Sequence, residues 1–304
     1  MCNLNVHLGD WKLDNPIIPA SGTFGFGYEF ADWYDINILG SICLKGTTKE
    51  SRFGNPTPRV AECTSGMLNS IGLQNPGVEK VISENIPKLK KYFNKKVIAN
   101  IAGHSVEDYI FVAEKFDKID EIEILEINLS CPNVKEGGMA FGLDENSVFN
   151  ICSKIKEKCK KKVYIKLSPN VTDIIKISKF AENSGADGLV LANTCLGIAI
   201  NPKTGKPIIA NIIAGFSGPA VKPIALRIVY QVFKEVKIPI IGCGGITNAD
   251  DVLEFISAGA TAVEIGSANL IDPFICQKII QELPLKMKEY KINSIEEITG
   301  RSHK

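Results

Sequence analysis

The sequence predicts an α/β protein, an eight-stranded parallel (β/α)8 or TIM barrel with long loops at its C-terminal face. Three observations predict it. Short runs rich in Ile, Val and Leu recur along the 304 residues. Most are followed by a longer amphipathic stretch carrying helix-capping residues. Several are apolar on consecutive rather than alternate positions, as in parallel strands buried on both faces. A barrel of this kind needs about 250 residues, which leaves some room for insertions. A doubly wound open sheet is the alternative, but no GxGxxG follows the first run. No linker or fixed-period repeat divides the chain, so residues 1–304 are read as one domain.

The runs are, in order, NPIIPASG (15–22), ILGSICLKG (38–46), KKVIANIAG (95–103), IEILEINLS (122–130), KKVYIKLSPN (161–170), ADGLVLANT (186–194), IPIIGCGG (238–245) and TAVEIGSA (261–268). Helical patterns fill 105–119, 144–161, 172–185, 222–237 and 248–260. Ser105 is a cap candidate, with Glu107 and Asp108 suited to the positive helix end. Asn248 and Gly259 mark the start and stop of the last pattern. Two gaps, 47–94 and 195–221, are longer than a helix needs and rich in Gly, Pro, Asn and Thr. Both follow strand C-termini, the end where such barrels keep their active sites, so both are expected to wall or cover a site.

Composition narrows the function. A net charge of +1 gives no basic footprint for nucleic acid. The N-terminal MCNLNVHLGDWKLDNP lacks the basic start and apolar core of a signal peptide, and no run reaches the roughly 18 apolar residues of a membrane helix. Nine scattered cysteines without a CxxC pair read as reduced thiols in a cytoplasmic protein, with no metal or iron–sulfur site expected in this chain.

The chemistry is expected where the runs turn polar: Ser21, Lys45, Asn100, Asn128, Lys166, Asn193, Thr194, Gly244, Gly245, Gly266 and Ser267. These ends hold no histidine and no carboxylate pair, which argues against triad and glycosidase chemistry. GCGGI and EIGSA, after the last two runs, suit a phosphate, either of a sugar or of flavin mononucleotide. The asparagines offer donor and acceptor together, which suits a flat heterocycle without excluding a sugar. Lys45 and Lys166 fit a Schiff base or two fixed charges beside a ligand that becomes anionic. Cys43, Cys152, Cys195 and Cys243 read as small apolar fillers. Cys131 differs, because it follows a strand end and precedes Pro132 and a glycine-bearing loop. A modestly positive setting would make it a usable base.

INLSCPNVKEGG, NSIGLQNPG, CLKGTT, PASGTFGFG, YIKLSPN, NTCLG and IIGCGGI together resemble the dihydroorotate dehydrogenases, in order from about residue 5 to 270. KEGGMAFG looks like the NAD-linked class 1B catalytic subunit. The resemblance implies FMN over the barrel mouth, with its phosphate on Gly244, Gly245, Gly266 and Ser267. Ser21, Lys45, Gly46, Asn100, Asn128, Lys166 and Gly218 would complete the flavin site. Dihydroorotate would be held by Lys45, Asn69, Ser70, Ile71, Gly72, Leu73, Asn128, Asn193 and Thr194. Cys131 would take a proton from C5 while hydride leaves C6 for the flavin, and Lys166 would stabilise charge on the reduced flavin. The partners implied are a second copy of the chain and a subunit carrying FAD and a [2Fe–2S] cluster, through which NAD is reached. Cys195, Cys243 and Phe216 depart from the family pattern, and the two thiols could oxidise. Other readings are a fumarate-linked class 1A enzyme, a flavin barrel resembling tRNA dihydrouridine synthase, and a non-catalytic phosphate-binding barrel subunit.

Overall fold

The computed structural model describes residues 2–129 and 145–304. Thirteen strands are described: β1 (Val6–Leu8), β2 (Trp11–Leu13), β3 (Ile17–Pro19), β4 (Val60–Cys63), β5 (Gly66–Asn69), β6 (Val97–Ile101), β7 (Ile122–Asn128), β8 (Lys162–Lys166), β9 (Gly188–Leu191), β10 (Cys195–Gly197), β11 (Ala214–Ser217), β12 (Ile240–Cys243) and β13 (Ala262–Ile265). Seven form one parallel sheet in the order β3-β13-β12-β9-β8-β7-β6. Their residues are almost all buried, as consecutive apolar positions required.

The run at 38–46 is not a regular strand, yet it closes the barrel. Gly40 and Cys43 donate to Ile17 and Pro19 of β3, while Leu44 donates to Ile98 of β6. The N–H of Lys45 breaks the ladder by turning to the carbonyl of Gly25. Residues 40–47 are therefore an eighth stave between β3 and β6, and the predicted barrel stands with that correction.

Helices Val106–Asp117, Glu145–Lys158, Ile174–Asn183, Lys222–Phe233 and Ala249–Ala258 occupy the expected places. Ser105 Oγ accepts from the N–H of Asp108, and Asn248 Oδ1 from that of Asp251. Gly259 ends its helix at φ 122°, a conformation costly for any residue with a Cβ. A further helix, Ile275–Glu289, was not evident, because Pro284 interrupts its pattern. Its buried face, Cys276, Ile279, Leu283 and Met287, nonetheless has helical spacing. The β1–β2 hairpin sits under the strand starts, where Asp10 pairs with Lys162 at the first residue of β8. The C-terminal segment folds back onto the Ala249–Ala258 helix through Gly300, Arg301 and His303.

The two long gaps are more ordered than loops. They supply an antiparallel sheet, β10-β11-β5-β4, pairing Cys195 with Phe216, Gly215 with Asn69, and Asn69 with Val60. Among the described residues no helix is long and apolar enough to cross a membrane.

Removing the Asn248 cap by Asn248→Ala is expected to cost about 1 kcal/mol. Gly259→Val should cost more, since its Cβ would meet the Phe233 ring at 2.2 Å. Chemical denaturation compares the two, and a Gly259→Val protein as stable as the parent would contradict the packing described.

Candidate active site at the barrel mouth

Because the staves run the same way, their C-terminal residues converge. They line one cavity of about 340 Å³. β3 is followed by Ser21, the 40–47 stave brings Lys45 and Gly46, and β6 brings Asn100. β7 ends on Asn128 and β8 on Lys166, and β9 is followed by Asn193 and Thr194. Gly244, Gly245, Gly266 and Ser267 follow β12 and β13 into the same space. The inserted sheet contributes Asn69, and the chain beyond it contributes Ile71, Gly72 and Leu73.

Two residues expected at the site do not line the cavity. Ser70 is fully buried, and its hydroxyl accepts from the amides of Asn55 and Asn211. Gly218 packs behind the Gly244–Gly245 turn, with its carbonyl oxygen 2.9 Å from where a Gly245 Cβ would stand. Cys131 lies outside the described residues, as do Lys135 to Gly142. Sequence reasoning missed the apolar wall made by Val60, Met67, Val221 and Leu270. Part of its signal was present, because Met67 and Asn69, two apart on β5, share one face of the strand.

Local bonding fixes these groups. The hydroxyl of Tyr109, fully buried, donates to the carbonyl of Asn128 at 2.9 Å. Asn193 donates to Asn128 Oδ1 at 3.3 Å, and its own Oδ1 accepts from the N–H of Thr194 at 2.8 Å. The amide of Asn75 bonds Thr48, Leu73 and Gly77, which ties the 71–77 chain to the barrel rim. Gly72, at φ 75°, leaves no room for a Cβ beside the backbone of Asn55.

The floor is charged. Lys166 is nearly buried, with Nζ 2.5 Å from Glu264 Oε2 and 3.4 Å from Glu126 Oε1. Burial opposes its charge, but the two carboxyls outweigh that and hold it firmly protonated. Burial pushes the Cys243 thiol up to about 12 and that of Cys43 well above its ordinary value. Cys243 lines the cavity but stays a thiol at neutral pH, so it is a poor target for oxidation. Cys195 does not line it, and burial raises its thiol too.

A barrel mouth with a two-loop glycine turn, two lysines and converging asparagines has the donors and acceptors that suit a phosphorylated, heterocyclic ligand. Comparison with known proteins makes this specific. A sequence model of the dihydroorotate dehydrogenase family matches residues 3–287. The chain is 52% identical over 301 residues to the dihydroorotate dehydrogenase B (NAD(+)) catalytic subunit of Malacoplasma penetrans, covering 99% of this chain and 98% of that one. It is 54% identical over 299 residues to the protein of the same name from Fusobacterium nucleatum, covering 98% of each. The like-named Bacillus cytotoxicus protein is 54% identical over 304 residues, covering 100% of this chain and 98% of its own. The chain belongs to the dihydroorotate dehydrogenase family. It is thus an oxidoreductase, and membership implies a flavin cofactor.

The residues present fit a flavin. Asn100 Oδ1 is buried without a hydrogen-bond partner and awaits a donor. Gly46 keeps that oxygen accessible, because a Cβ there would fall 2.7 Å from it. A Cβ on Gly266 would meet only Ala20, 4.0 Å away, which leaves open space beside its backbone for a phosphate. Gly245, at φ 75°, turns where a Cβ would strike the backbone N of Lys222 at 2.6 Å. Gly245→Ala is therefore expected to lower the flavin content of the purified protein while leaving its circular dichroism unchanged. Full flavin content in that variant would contradict the cradle.

Proposed function

We propose that the chain oxidises (S)-dihydroorotate to orotate in de novo UMP biosynthesis, with FMN as its flavin. Electrons then pass to NAD through a partner subunit carrying FAD and [2Fe–2S]. The observation that carries this reading is the shared cavity, with the Gly244, Gly245, Gly266 and Ser267 cradle on one side and Lys45, Asn69, Asn128, Asn193 and Thr194 on the other. Family membership and the relatives' printed names support the reaction and the subunit arrangement.

Bound FMN supplies the two-electron acceptor. Gly244, Gly245, Gly266 and Ser267 would hold its phosphate, and Ser21, Lys45, Gly46, Asn100, Asn128 and Lys166 would complete its site, with Gly218 shaping the turn behind. Lys45 neutralises the substrate carboxylate, and the amides of Asn69, Asn128 and Asn193 match the alternating C=O and N–H edge of the pyrimidine. Ile71, Gly72, Leu73 and Thr194 complete that side, and Ser70 supports the turn from behind. Lys166 presents a fixed positive charge where negative charge develops. Cys131 acts as the general base that removes the C5 proton; Asn128, three residues before it in sequence, lines the cavity.

The whole chain works as one domain in the cytoplasm, as a homodimer joined to two electron-transfer subunits. NAD is favoured over fumarate as final acceptor because the relatives compared are named for NAD(+). A net charge of +1 does not support the basic surface that an RNA substrate would need.

Stopped-flow reduction by dihydroorotate tests the roles. Cys131→Ala should keep FMN and slow reduction by about 10²- to 10⁴-fold, whereas Lys45→Ala should mainly raise the substrate concentration needed. Undiminished reduction in Cys131→Ala would remove it as the base. Assays against NAD and fumarate, with and without the partner, decide the acceptor.

A further inference from the structure

Beneath the cavity floor the barrel encloses a charge imbalance. Glu126 points inward from β7 and Glu264 from β13, both with 0% exposure, and Lys166 of β8 lies against both. Among the described residues, the other titratable or polar groups facing this cluster are Cys43, Cys243 and the amide of Asn100. Two buried acids thus face one buried base. One lysine balances one carboxylate; a second carboxylate without a counter-charge inside a barrel would cost several kcal/mol, a cost that protonation removes.

The bonding indicates where that proton sits. The amide nitrogen of Asn100 and the Cys43 thiol both donate to Glu126 Oε1, which favours charge on Glu126. Lys166 lies closer to Glu264, which favours charge there instead. Each carboxyl also has one oxygen with no ordinary donor, Glu126 Oε2 and Glu264 Oε1. Those two orphans are explained together if a proton lies between the carboxyls, which have oxygens within 4.8 Å of each other.

We propose that Glu126 and Glu264 hold a single proton between them, resting on Glu264, so that Lys166 sits in the cavity floor with one counter-charge. Burial and the neighbouring carboxylate raise Glu264 well above the usual range. Burial is the largest influence on Glu126 and acts the same way, but Lys166 together with the hydrogen bonds from Glu264, Asn100 and Cys43 outweighs it and holds this carboxyl down. The pair titrates as a unit. An ionised Glu126 can only accept, so the Asn100 amide must turn its nitrogen down and its oxygen to the cavity. Cys43 and the two carboxyls have ligand atoms within 4.8 Å, a spacing that could hold a metal ion, but the Lys166 ammonium occupies the position of the cation. Glu126 and Glu264 are positioning residues: they set the charge of Lys166 and the orientation of Asn100 without reaching the cavity themselves. The consequence for a flavin rests on the proposed function, but the shared proton does not.

Carbon-13 NMR of protein labelled at the glutamate carboxyl carbon reads the proton directly. One carboxyl carbon should keep the protonated-acid shift at neutral pH. Glu264→Gln and Glu126→Gln should each abolish it, because one remaining carboxylate matches one lysine. Absence of that signal in the parent protein, its persistence in either variant, or a stoichiometric divalent metal in the purified protein would overturn the proposal. The parent spectrum stands as a test even if a variant fails to fold. In FMN-loaded protein, Glu264→Gln should leave the flavin midpoint potential at neutral pH unchanged, since the amide replaces a neutral acid. A raised potential would mean that both carboxyls are ionised in the parent and would also overturn it. Failure to load FMN would bear on the function proposed above and leave the NMR result standing.

Discussion

Parallel closure of the barrel is the constraint on which the rest depends. Seven strands and the 40–47 stave run in one direction, so every chain segment leaves the hydrocarbon interior at the same end. The apolar body of each strand is satisfied by burial on both faces. Its last residues are released from that demand together, and eight short polar tails meet around one cavity. A phosphate cradle and a ring of amides can thereby be assembled from residues more than two hundred positions apart.

The inserted antiparallel sheet adds to that mouth what the barrel cannot. Barrel strands end at the rim, so a ligand standing above it needs walls from elsewhere. Asn69, Met67 and Phe216 come from this sheet, and Asn75 ties the following turn back to the rim. Below, the buried charges do different work. Lys166 is placed in a low-dielectric floor where its charge acts strongly on whatever lies above, and the carboxyls keep it ionised there.

Much of this was legible because two signals are local. Consecutive apolar residues located the strands, and the polar residue just past each run located the cavity lining. The capping residues Ser105 and Asn248 were equally plain. What escaped depends on contacts remote in sequence. The 38–46 run reads as a strand, but the Lys45 N–H is diverted to Gly25 by a loop no local pattern reveals. The inserted sheet is built from segments separated by more than a hundred residues and rich in glycine, so its strands read as loop. Ser70 stands among lining residues in sequence yet points to Asn55 and Asn211. Glu126 and Glu264 were passed over inside IEILEIN and TAVEIG, although a carboxylate in a fully buried run is itself a signal, because burying it demands a partner.

The central claim is that a planar pyrimidine is held at this mouth between the flavin and the Cys131 sulfur. A crystal structure of the FMN-loaded protein with orotate tests it most directly. The account predicts the orotate carboxylate against Lys45, its ring edge on Asn69, Asn128 and Asn193, and Cys131 Sγ on the face of the pyrimidine turned away from the flavin. Orotate bound elsewhere, or a Cys131 sulfur directed away from its ring, would contradict it.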